Sequence, residues 1–481
     1  MTRFNALLIA ALVATISGAA TSANPLTALP RPPRQADPLL PAGTTKALFT
    51  NRPSTFGRQP DPSTQAFWVR LFPLISVPPS DPYPQTSDQN HVEFQNAGGL
   101  EIFSMTNGQR LGSTTLVQAD FKLGRLLFNK SSIGLTEVYL ESIAGTPIQV
   151  RWDIGGKSPT GDSLEVGVRM RGTIVLQKTV FSQDDRGRPT AIDPLLWSVI
   201  NVLPVEEYIQ SVVATEVLPS WSATTLRAQA IAARSYGLFE MASARLIGRN
   251  WDVDPSTWFQ SYRGVEFWNR KTGAWSGVEQ PSTTKATLDT NGQTLLYNGE
   301  VIKSYFSANS GGQTCTVQEC FGFPDVPYIT SVSDAPGIEQ AAGGTWGSTA
   351  DLSPSSILSV LTQLGIAPTQ PVIGLQPLTK GPSGRTWQLR VSLNPGFIDL
   401  DPAQTRKMMR LFGTVRSFLY QLGGFKNGKQ EVIGHGFGHG VGMSQWGAEL
   451  FARMGWSTDQ ILQHYYPGAQ VSRLAEWRDP R

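Results

Sequence analysis

The apolar residues of this chain change their spacing at Pro204, and that change limits the folds open to it. Before Pro204, Val166, Val168 and Met170 alternate with small or polar residues, and this period of two predicts a half-buried β-strand. After it, the apolar residues of 205–213 recur at helical spacing, and a proline suits the first position of a helix. The chain is therefore predicted to be an α+β protein whose N-terminal half is rich in strands.

The amino-acid composition argues against several classes of protein. The 47 glycines and 34 prolines make 81 of 481 residues, which is too many for a helical bundle and far too few for collagen. The 40 basic and 37 acidic residues leave a formal charge of +3, so no nucleic-acid partner is expected. At about 150 residues per domain, the length suggests roughly three units or two larger ones.

Five segments are predicted along the chain. Residues 1–23 resemble a secretory signal peptide, because a short apolar core follows Arg3 and small residues follow the core. Residues 24–65 contain nine prolines and are expected to form an extended, disordered arm. Residues 66–203 should form the β-rich part, 204–470 a mixed part of helices and strands, and 471–481 a tail. We therefore expect an exported protein of the periplasm or cell envelope, without a transmembrane segment after signal cleavage; an uncleaved anchor is the alternative.

Further elements are predicted from local patterns. Strands are expected at residues 67–72, 100–105, 138–143 and 195–202. The helix after Pro204 should end before Pro219, and an Ala-rich helix should follow from a Ser222 cap to about residue 245. Later helices are predicted at residues 355–364, 444–454 and 457–466, and later strands at 294–297, 301–307 and 387–391.

Glu216 is the most unusual residue of the first predicted helix. It follows Val212 and Val213 by four and three residues, so its carboxyl group should lie on the apolar face near the C-terminal end. Desolvation and the negative end of the helix dipole both disfavour the carboxylate, which favours a protonated group that acts as a general acid. The alternative is a structural acid that pairs with Arg227 or Arg234 of the second helix.

Residues 433–447 form a second unusual segment, in which glycines alternate with His435, Phe437 and His439 before a helix begins at Ser444. Two histidines four residues apart suggest a metal site only within a helix, and this glycine content argues against a helix. Two interpretations remain open, a polar-ligand site built from bare backbone and a helix N-terminus, and a tight structural turn.

Cys315 and Cys320 lie in a Gly-rich loop and are predicted to form a disulfide, because the chain is expected in an oxidising compartment. A zinc-binding pair is the alternative, although neither cysteine has a histidine close in sequence. The 13 tryptophans and 11 tyrosines would suit stacking on sugar rings, but most of them are expected in the core.

Several sequence motifs occur in the order typical of one protein family. They are NVLPVEEY (201–208), VVATEVLPSW (212–221), LRAQAIAARSY (226–236), QSYRGV (260–265), SGG (310–312), PYI (327–329), GHGVGMSQWGA (438–448) and HYYPG (464–468). On these motifs the chain resembles the SpoIID/LytB domain family of the bacterial cell envelope, over roughly residues 66–470.

The resemblance implies a peptidoglycan-directed protein. Sporulation members of the family are lytic transglycosylases, and their catalytic acid corresponds to Glu216, with Arg234 and Tyr328 in support. The resemblance also implies that further motif residues bind the glycan strand, namely Gln260, Tyr262, Ser310, Gly311, Gly312, His439, Ser444, Gln445 and Trp446. Such an enzyme needs a single carboxyl group, because the attacking hydroxyl belongs to the substrate and the product is a 1,6-anhydromuramyl sugar.

Other members of the family are described as non-catalytic enhancers of an N-acetylmuramoyl-L-alanine amidase, which is the alternative function for this chain. Zinc-carrying relatives combine cysteines with histidines around the Ser-Gly-Gly loop, whereas here Ser307 stands where a histidine is common. We therefore expect no metal and no cofactor. The expected partners are peptidoglycan glycan strands and, for the alternative function, a cell-wall amidase.

Overall fold

A computed structural model describes residues 66–73, 91–120, 125–128, 131–132, 137–157, 163–183, 189–246, 251–255, 259–269, 272–346, 352–412 and 415–473. The predicted signal peptide, the Pro-rich arm and residues 474–481 of the tail lie outside these ranges. The described residues contain eight α-helices and many strands, which confirms the predicted α+β class. Of these helices, none is both long and apolar enough to cross a membrane.

The largest sheet contains twelve antiparallel strands. They are β1 (Ala66–Pro73), β2 (His91–Ser104), β3 (Arg110–Asp120), β4 (Arg125–Phe128), β5 (Ser131–Ser132), β6 (Val138–Ser142), β7 (Ile148–Lys157), β8 (Ser163–Met170), β9 (Thr173–Gln183), β10 (Pro189–Pro204), β11 (Glu266–Asn269) and β12 (Ala274–Gly277). Hydrogen-bonded neighbours follow the order β1–β10–β9–β6–β2–β7–β8–β11–β12, and β3, β4 and β5 extend from β2. In β8, Val168 and Met170 are buried and Arg169 is partly exposed, as the alternation predicts, but Gly167 is buried as well because Trp268 and Trp275 lie against it.

The helices are α1 (Val205–Glu216), α2 (Ala223–Leu246), α3 (Pro281–Asp289), α4 (Val317–Phe321), α5 (Pro354–Gln363), α6 (Pro402–Leu411), α7 (Gln445–Arg453) and α8 (Thr458–Tyr465). The first two agree with the prediction, since α1 ends before Pro219 and the Ser222 hydroxyl accepts a hydrogen bond from the Thr225 N–H. Pro204 lies one position earlier than predicted. It ends β10 and precedes the first helical residue, because its φ of −56° and ψ of 147° continue the strand.

Four small sheets contain the remaining strands. Their strands are β13 (Gln293–Tyr297), β14 (Glu300–Val301), β15 (Phe306–Ser307), β16 (Thr345–Trp346), β17 (Val372–Lys380), β18 (Thr386–Leu393), β19 (Phe397–Leu400), β20 (Leu419–Lys426), β21 (Lys429–His435), β22 (Met443–Ser444) and β23 (Gln470–Arg473). The sheets have the orders β14–β13–β23, β15–β22, β16–β21–β20 and β17–β18–β19. The single strand predicted at 301–307 is instead two short strands, β14 and β15, in different sheets.

The chain folds into two compact units, each with its own apolar core. The larger unit contains the described residues of 66–304, 456–463 and 468–473, and Trp68, Tyr139 and Ile200 lie in its core. The smaller unit contains those of 305–455 and 464–467, and Leu361 and Leu389 lie in its core. The change of spacing at Pro204 therefore falls inside the larger unit.

A buried ion pair joins α1 to α2 in the larger unit. Arg234 is completely buried, and its Nε and Nη2 atoms donate to the Glu206 carboxylate at 2.8 and 2.7 Å. The remaining N–H groups donate to carbonyl oxygens of Ala230, Thr287 and Gln293. All five donors of the guanidinium are thus paired, which offsets the cost of burying its charge.

We expect Arg234→Leu to lower the free energy of unfolding by about 3–5 kcal/mol, because it leaves the Glu206 carboxylate buried without its cation. Denaturant unfolding of the full chain measures this loss. Arg227→Leu is the matched control on the same helix, since Arg227 is partly exposed and pairs with Asp289, and it should change stability little. Equal losses of unfolding free energy in both variants would show that the buried pair of Glu206 and Arg234 is not the source of the effect.

Candidate functional site

Glu216 is the last residue of α1 and is half-buried. Its Oε1 atom accepts a hydrogen bond from the backbone N–H of Ser261 at 2.8 Å. The preceding residue, Thr215, also binds Ser261, because its hydroxyl donates to the Ser261 carbonyl oxygen at 2.6 Å. Two adjacent helix residues therefore hold Ser261 by both of its backbone groups, and the loop in turn fixes the direction of the Glu216 carboxyl group.

The residues on either side of Ser261 are buried anchors. The Gln260 side chain accepts from the Tyr208 hydroxyl at 3.1 Å and donates to the Ala233 carbonyl oxygen at 3.1 Å. The Tyr262 hydroxyl donates to Asn201 Oδ1 at 2.6 Å. Burial of Gln260 and Tyr262 differs from the prediction that they line a glycan-binding groove. Their side chains instead hold the loop that contacts Glu216.

Aromatic packing encloses this arrangement from the side of α1. The Tyr208 ring stacks on Phe67 with 4.4 Å between ring centroids, and it lies 5.2 Å from the ring of Tyr262. Burial raises the pKa of both tyrosine hydroxyls, and the charge of Glu216 raises that of Tyr208 further. Both hydroxyls therefore stay protonated and remain hydrogen-bond donors around the loop.

Arg234 does not have Glu216 as its acid, because its guanidinium is paired with Glu206 at the first turn of α1. A group with no exposed surface and five occupied donors is suited to position α1 and not to touch a ligand. Arg227 also has another partner, since it pairs with Asp289. These contacts therefore argue against the interpretation of Glu216 as a structural acid that pairs with Arg227 or Arg234.

In the smaller unit, residues 310–312 form a tight loop. The Ser310 hydroxyl donates to the Asp334 carboxylate, and the Gly311 N–H donates to Asn309 Oδ1 at 2.8 Å. Gly311 has a φ of +81°, and a Cβ atom there would approach the Gly436 nitrogen to 2.7 Å. Glycine is thus required at 311 by both conformation and close packing against the Gly-rich segment.

Ser444, Gln445 and Trp446 begin α7 next to this loop. The Ser444 hydroxyl caps the helix by accepting from the Gly447 N–H, and it also accepts from the Ser310 N–H at 3.2 Å. The Trp446 N–H donates to the Ala308 carbonyl oxygen, and Gln445 is buried. A side chain at Gly447 would overlap the Asp334 carboxylate and the Tyr465 hydroxyl. The motif therefore closes a polar network around Asp334.

His439 is half-buried in the turn that follows β21, and the segment is not helical. Its Nδ1 atom accepts from the Val441 N–H at 3.0 Å, and the ring lies near those of Tyr305 and Phe321. Burial lowers the pKa of His439 to about 4, with a hydrogen bond to the Phe306 backbone opposing this and the Arg385 and Arg410 charges adding to it. Because Nδ1 accepts this hydrogen bond, the neutral ring carries its proton on Nε2, and neither nitrogen offers a free lone pair to a metal ion.

Cys315 and Cys320 are joined in a disulfide that closes around the start of α4. The Cys315 N–H donates to the Gly440 carbonyl oxygen at 2.9 Å, which ties the disulfide loop to the Gly-rich segment. Buried Arg385 reaches the same place and donates to the carbonyl oxygens of Ser310 and Gln313 at 2.8 and 2.7 Å.

Tyr328 lies in the smaller unit and is 1% exposed. The predicted residues therefore form two groups. Glu216, Gln260 and Tyr262 meet in the larger unit. Residues 310–312 and 444–446 lie together in the smaller unit, where the His439 ring lies beside Tyr305 and Phe321.

Sequence reasoning missed several residues that hold these groups, namely Thr215, Ser261, Asp334 and Arg385. Thr215 and Ser261 stand inside the motifs, and Thr215 lies seven residues after Tyr208 on the same helix face, which is a usable signal. Asp334 and Arg385 contact Ser310 across 24 and 75 residues of sequence. No local pattern marks such partners.

Comparisons with known proteins identify relatives over much of the chain. A family model described as Stage II sporulation protein matches residues 196–297, and a model of a domain of unknown function matches residues 349–442. An uncharacterized protein of Brachyspira hyodysenteriae is 33% identical over 57% of this chain and 68% of its own length. Stage II sporulation protein D of Bacillus subtilis is 28% identical over 57% of this chain and 76% of its own length. The amidase enhancer of the same species is 27% identical over 55% of this chain, but over only 40% of its own length.

The depressed pKa of His439 predicts a pH dependence of stability. Between the ordinary value of 6.5 and about 4, the unfolded chain binds a proton that the folded chain does not. We expect acidification across this range to lower the free energy of unfolding by up to about 1.4 kcal/mol per pH unit. His439→Gln should remove this part of the slope in denaturant titrations, and identical slopes in both proteins would contradict the prediction.

Proposed function

This chain belongs to the SpoIID/LytB family, and we propose on that basis that it is a peptidoglycan lytic transglycosylase. The family supports a function related to the cell wall. The proposed substrate is the glycan strand, and the proposed product carries a 1,6-anhydromuramyl end. Glu216 is proposed as the single acid and base.

The observation that carries the proposal is the way in which Glu216 is held. Its carboxyl group lies at the C-terminal end of α1, half-buried, with one oxygen fixed by the Ser261 N–H. A carboxyl group that is held in one direction and remains partly exposed can approach a bound ligand in a fixed geometry, as proton transfer to a reacting oxygen requires.

The proposed reaction uses this one carboxyl group twice. Protonated Glu216 first gives its proton to the glycosidic oxygen as the bond from that oxygen to C1 of N-acetylmuramic acid breaks. The C6 hydroxyl of the same sugar then attacks C1, and the Glu216 carboxylate takes the hydroxyl proton as the anhydro ring closes. No water is consumed, and Glu216 is returned to its protonated form. A hydrolase of the usual kind needs a second carboxylate to activate water or to form a covalent intermediate.

The other predicted residues are proposed to have supporting roles. Arg234, Gln260 and Tyr262 are buried and position α1 and the Ser261 loop. Tyr328 is buried as well, and we assign it a positioning role in the smaller unit. Gly311, Gly312, His439 and Trp446 are partly exposed and are proposed to bind the glycan, whereas Ser310, Ser444 and Gln445 are buried and are proposed to position them.

A second candidate function has support from one relative. The match to the amidase enhancer of Bacillus subtilis suggests a non-catalytic protein that stimulates a cell-wall amidase. This alternative predicts no anhydro product and a higher rate of amidase cleavage when the full chain is added.

We expect Glu216→Gln to abolish release of anhydromuramyl products while leaving the fold intact, because an amide cannot donate or accept the required proton. Purified chain is incubated with bare glycan strands, and the products are identified by mass spectrometry. Glu93→Gln is the control, since Glu93 is a half-buried carboxylate of β2 that accepts from Gln118 at 2.8 Å. Undiminished product from Glu216→Gln would refute the assignment, and no product from wild type would favour the enhancer.

We also expect Thr215→Val to lower kcat about tenfold, a loss of about 1.4 kcal/mol of transition-state stabilisation, with a smaller change in KM. Valine matches threonine in shape but removes the hydroxyl that holds the Ser261 carbonyl oxygen. Thr215→Ser keeps that hydroxyl and should restore most of the rate. If valine and serine have the same effect, the hydroxyl does not position Glu216.

A further inference from the structure

Arg406 and Arg410 form a pair of cations on one face of α6, in the smaller unit. They are four residues apart, so their side chains are neighbours on the helix surface. Neither arginine forms a salt bridge within the part of the chain that the structure describes, whereas Arg390 of the same unit binds Asp399 at 2.6 Å. The pair therefore carries two positive charges that no described carboxylate binds directly.

Both guanidinium groups lie against the loop at the end of α4. The Nη2 atom of Arg410 donates to the Cys320 carbonyl oxygen at 3.2 Å. Gly322 ends α4 with a φ of +81°, and an added Cβ atom there would overlap the Arg406 guanidinium. The backbone of one loop thus positions both groups, but a neutral carbonyl oxygen leaves their charge uncompensated.

Desolvation and mutual repulsion both act on the pair. Partial desolvation lowers the pKa of each guanidinium, and the charge of Arg406 lowers that of Arg410 further, while Asp401 opposes the effect at Arg406. The Nη1 atom of Arg406 is buried and has no hydrogen-bond acceptor within the described ranges. A buried donor of this kind costs free energy until an acceptor reaches it. A bound anion would supply both the acceptor and the missing negative charge.

The pair is also accessible to a ligand. Arg406 is partly exposed, and Arg410 and Gly322 are exposed. The guanidinium carbons of Arg406 and Arg410 lie 5.6 and 5.8 Å from the ring centroids of Trp387 and Phe418, contacts that favour an ordered position for each cation. Two planar groups held one helical turn apart suit a ligand group with two or more oxygen atoms.

We propose that Arg406 and Arg410 bind an oxyanion, a carboxylate or a phosphate group, of an acidic ligand. Guanidinium groups donate paired hydrogen bonds to both kinds of group, and this shared chemistry defines the site. Both arginines lie in the domain of unknown function at 349–442, outside the segment 196–297 that matches the sporulation protein model. The proposal is therefore independent of Glu216 and of the proposed transglycosylase activity.

The test measures binding of two small anions, inorganic phosphate and acetate, to the full chain. Phosphate is followed by phosphorus NMR line width and acetate by proton saturation-transfer NMR, with sodium chloride added to keep the ionic strength constant. The double variant Arg406→Gln, Arg410→Gln removes both charges. Arg453→Gln is the control, because Arg453 lies in the same unit but already binds Glu449 at 2.8 Å.

We expect wild type and Arg453→Gln to bind at least one of the anions equally, and the double variant to bind it about tenfold more weakly or less, because charge-assisted hydrogen bonds are lost. Binding of phosphate alone would identify a phosphate ligand, binding of acetate alone a carboxylate ligand, and binding of both a general oxyanion site. No binding of either anion to wild type, undiminished binding to the double variant, or an equal loss in Arg453→Gln would each overturn the proposal.

Thermal unfolding without added anion shows whether each variant is folded. If the double variant does not fold, the single variants Arg406→Gln and Arg410→Gln replace it, and each should still bind the anion more weakly than Arg453→Gln does. Single variants that bind as tightly as the control would overturn the proposal as well. The assay contains no glycan and no catalytic step, so its outcome is separate from that of the test of Glu216.

Discussion

The ion pair between Glu206 and Arg234 is the interaction on which the geometry of the larger unit depends. A buried guanidinium keeps its charge only when its donors have acceptors, and those of Arg234 lie on α1, α2, α3 and β13. One side chain therefore fixes four elements relative to one another. Since α1 ends at Glu216, ten residues or about 15 Å beyond Glu206, the position of the proposed acid follows from this pair.

The smaller unit also contains a buried arginine, but the Nε atom of this guanidinium has no hydrogen-bond partner among the described residues. Arg385 is 1% exposed and donates to the carbonyl oxygens of Ser310 and Gln313, so a side chain of the matched domain of unknown function holds the Ser-Gly-Gly loop. Burial lowers the pKa of Arg385 to about 10, against the opposing charges of Glu319 and Asp334, and the group stays charged at neutral pH. Gly440 leaves the space that its guanidinium occupies. Domain 349–442 is thus part of the support for the loop.

Sequence patterns identified what is local in this protein. Spacing and caps placed α1, α2 and several strands, among them β1, β8 and β13, because period and capping are properties of neighbouring residues. They also placed Glu216 at the C-terminal end of a helix. They did not identify the acid that pairs with Arg234, because several acids stand at suitable spacings and only packing selects Glu206. The burial of Gln260 and Tyr262 was missed for a related reason, since their partners lie 27 to 61 residues away in sequence.

Most of the family motif residues of the larger unit have structural roles. In the larger unit, Glu206, Arg234, Gln260 and Tyr262 all act on the protein itself, through buried hydrogen bonds that fix α1 and the Ser261 loop. A protein that binds the cell wall without cleaving it needs the same fold and would retain the same residues. The motifs as a whole therefore identify the fold and not the activity. The proposed chemistry rests on the carboxyl group of Glu216, at the end of α1. The two candidate functions, transglycosylase and amidase enhancer, are distinguished by whether Glu216 promotes cleavage of a glycosidic bond. The number of motifs that a chain shares with the family does not distinguish them.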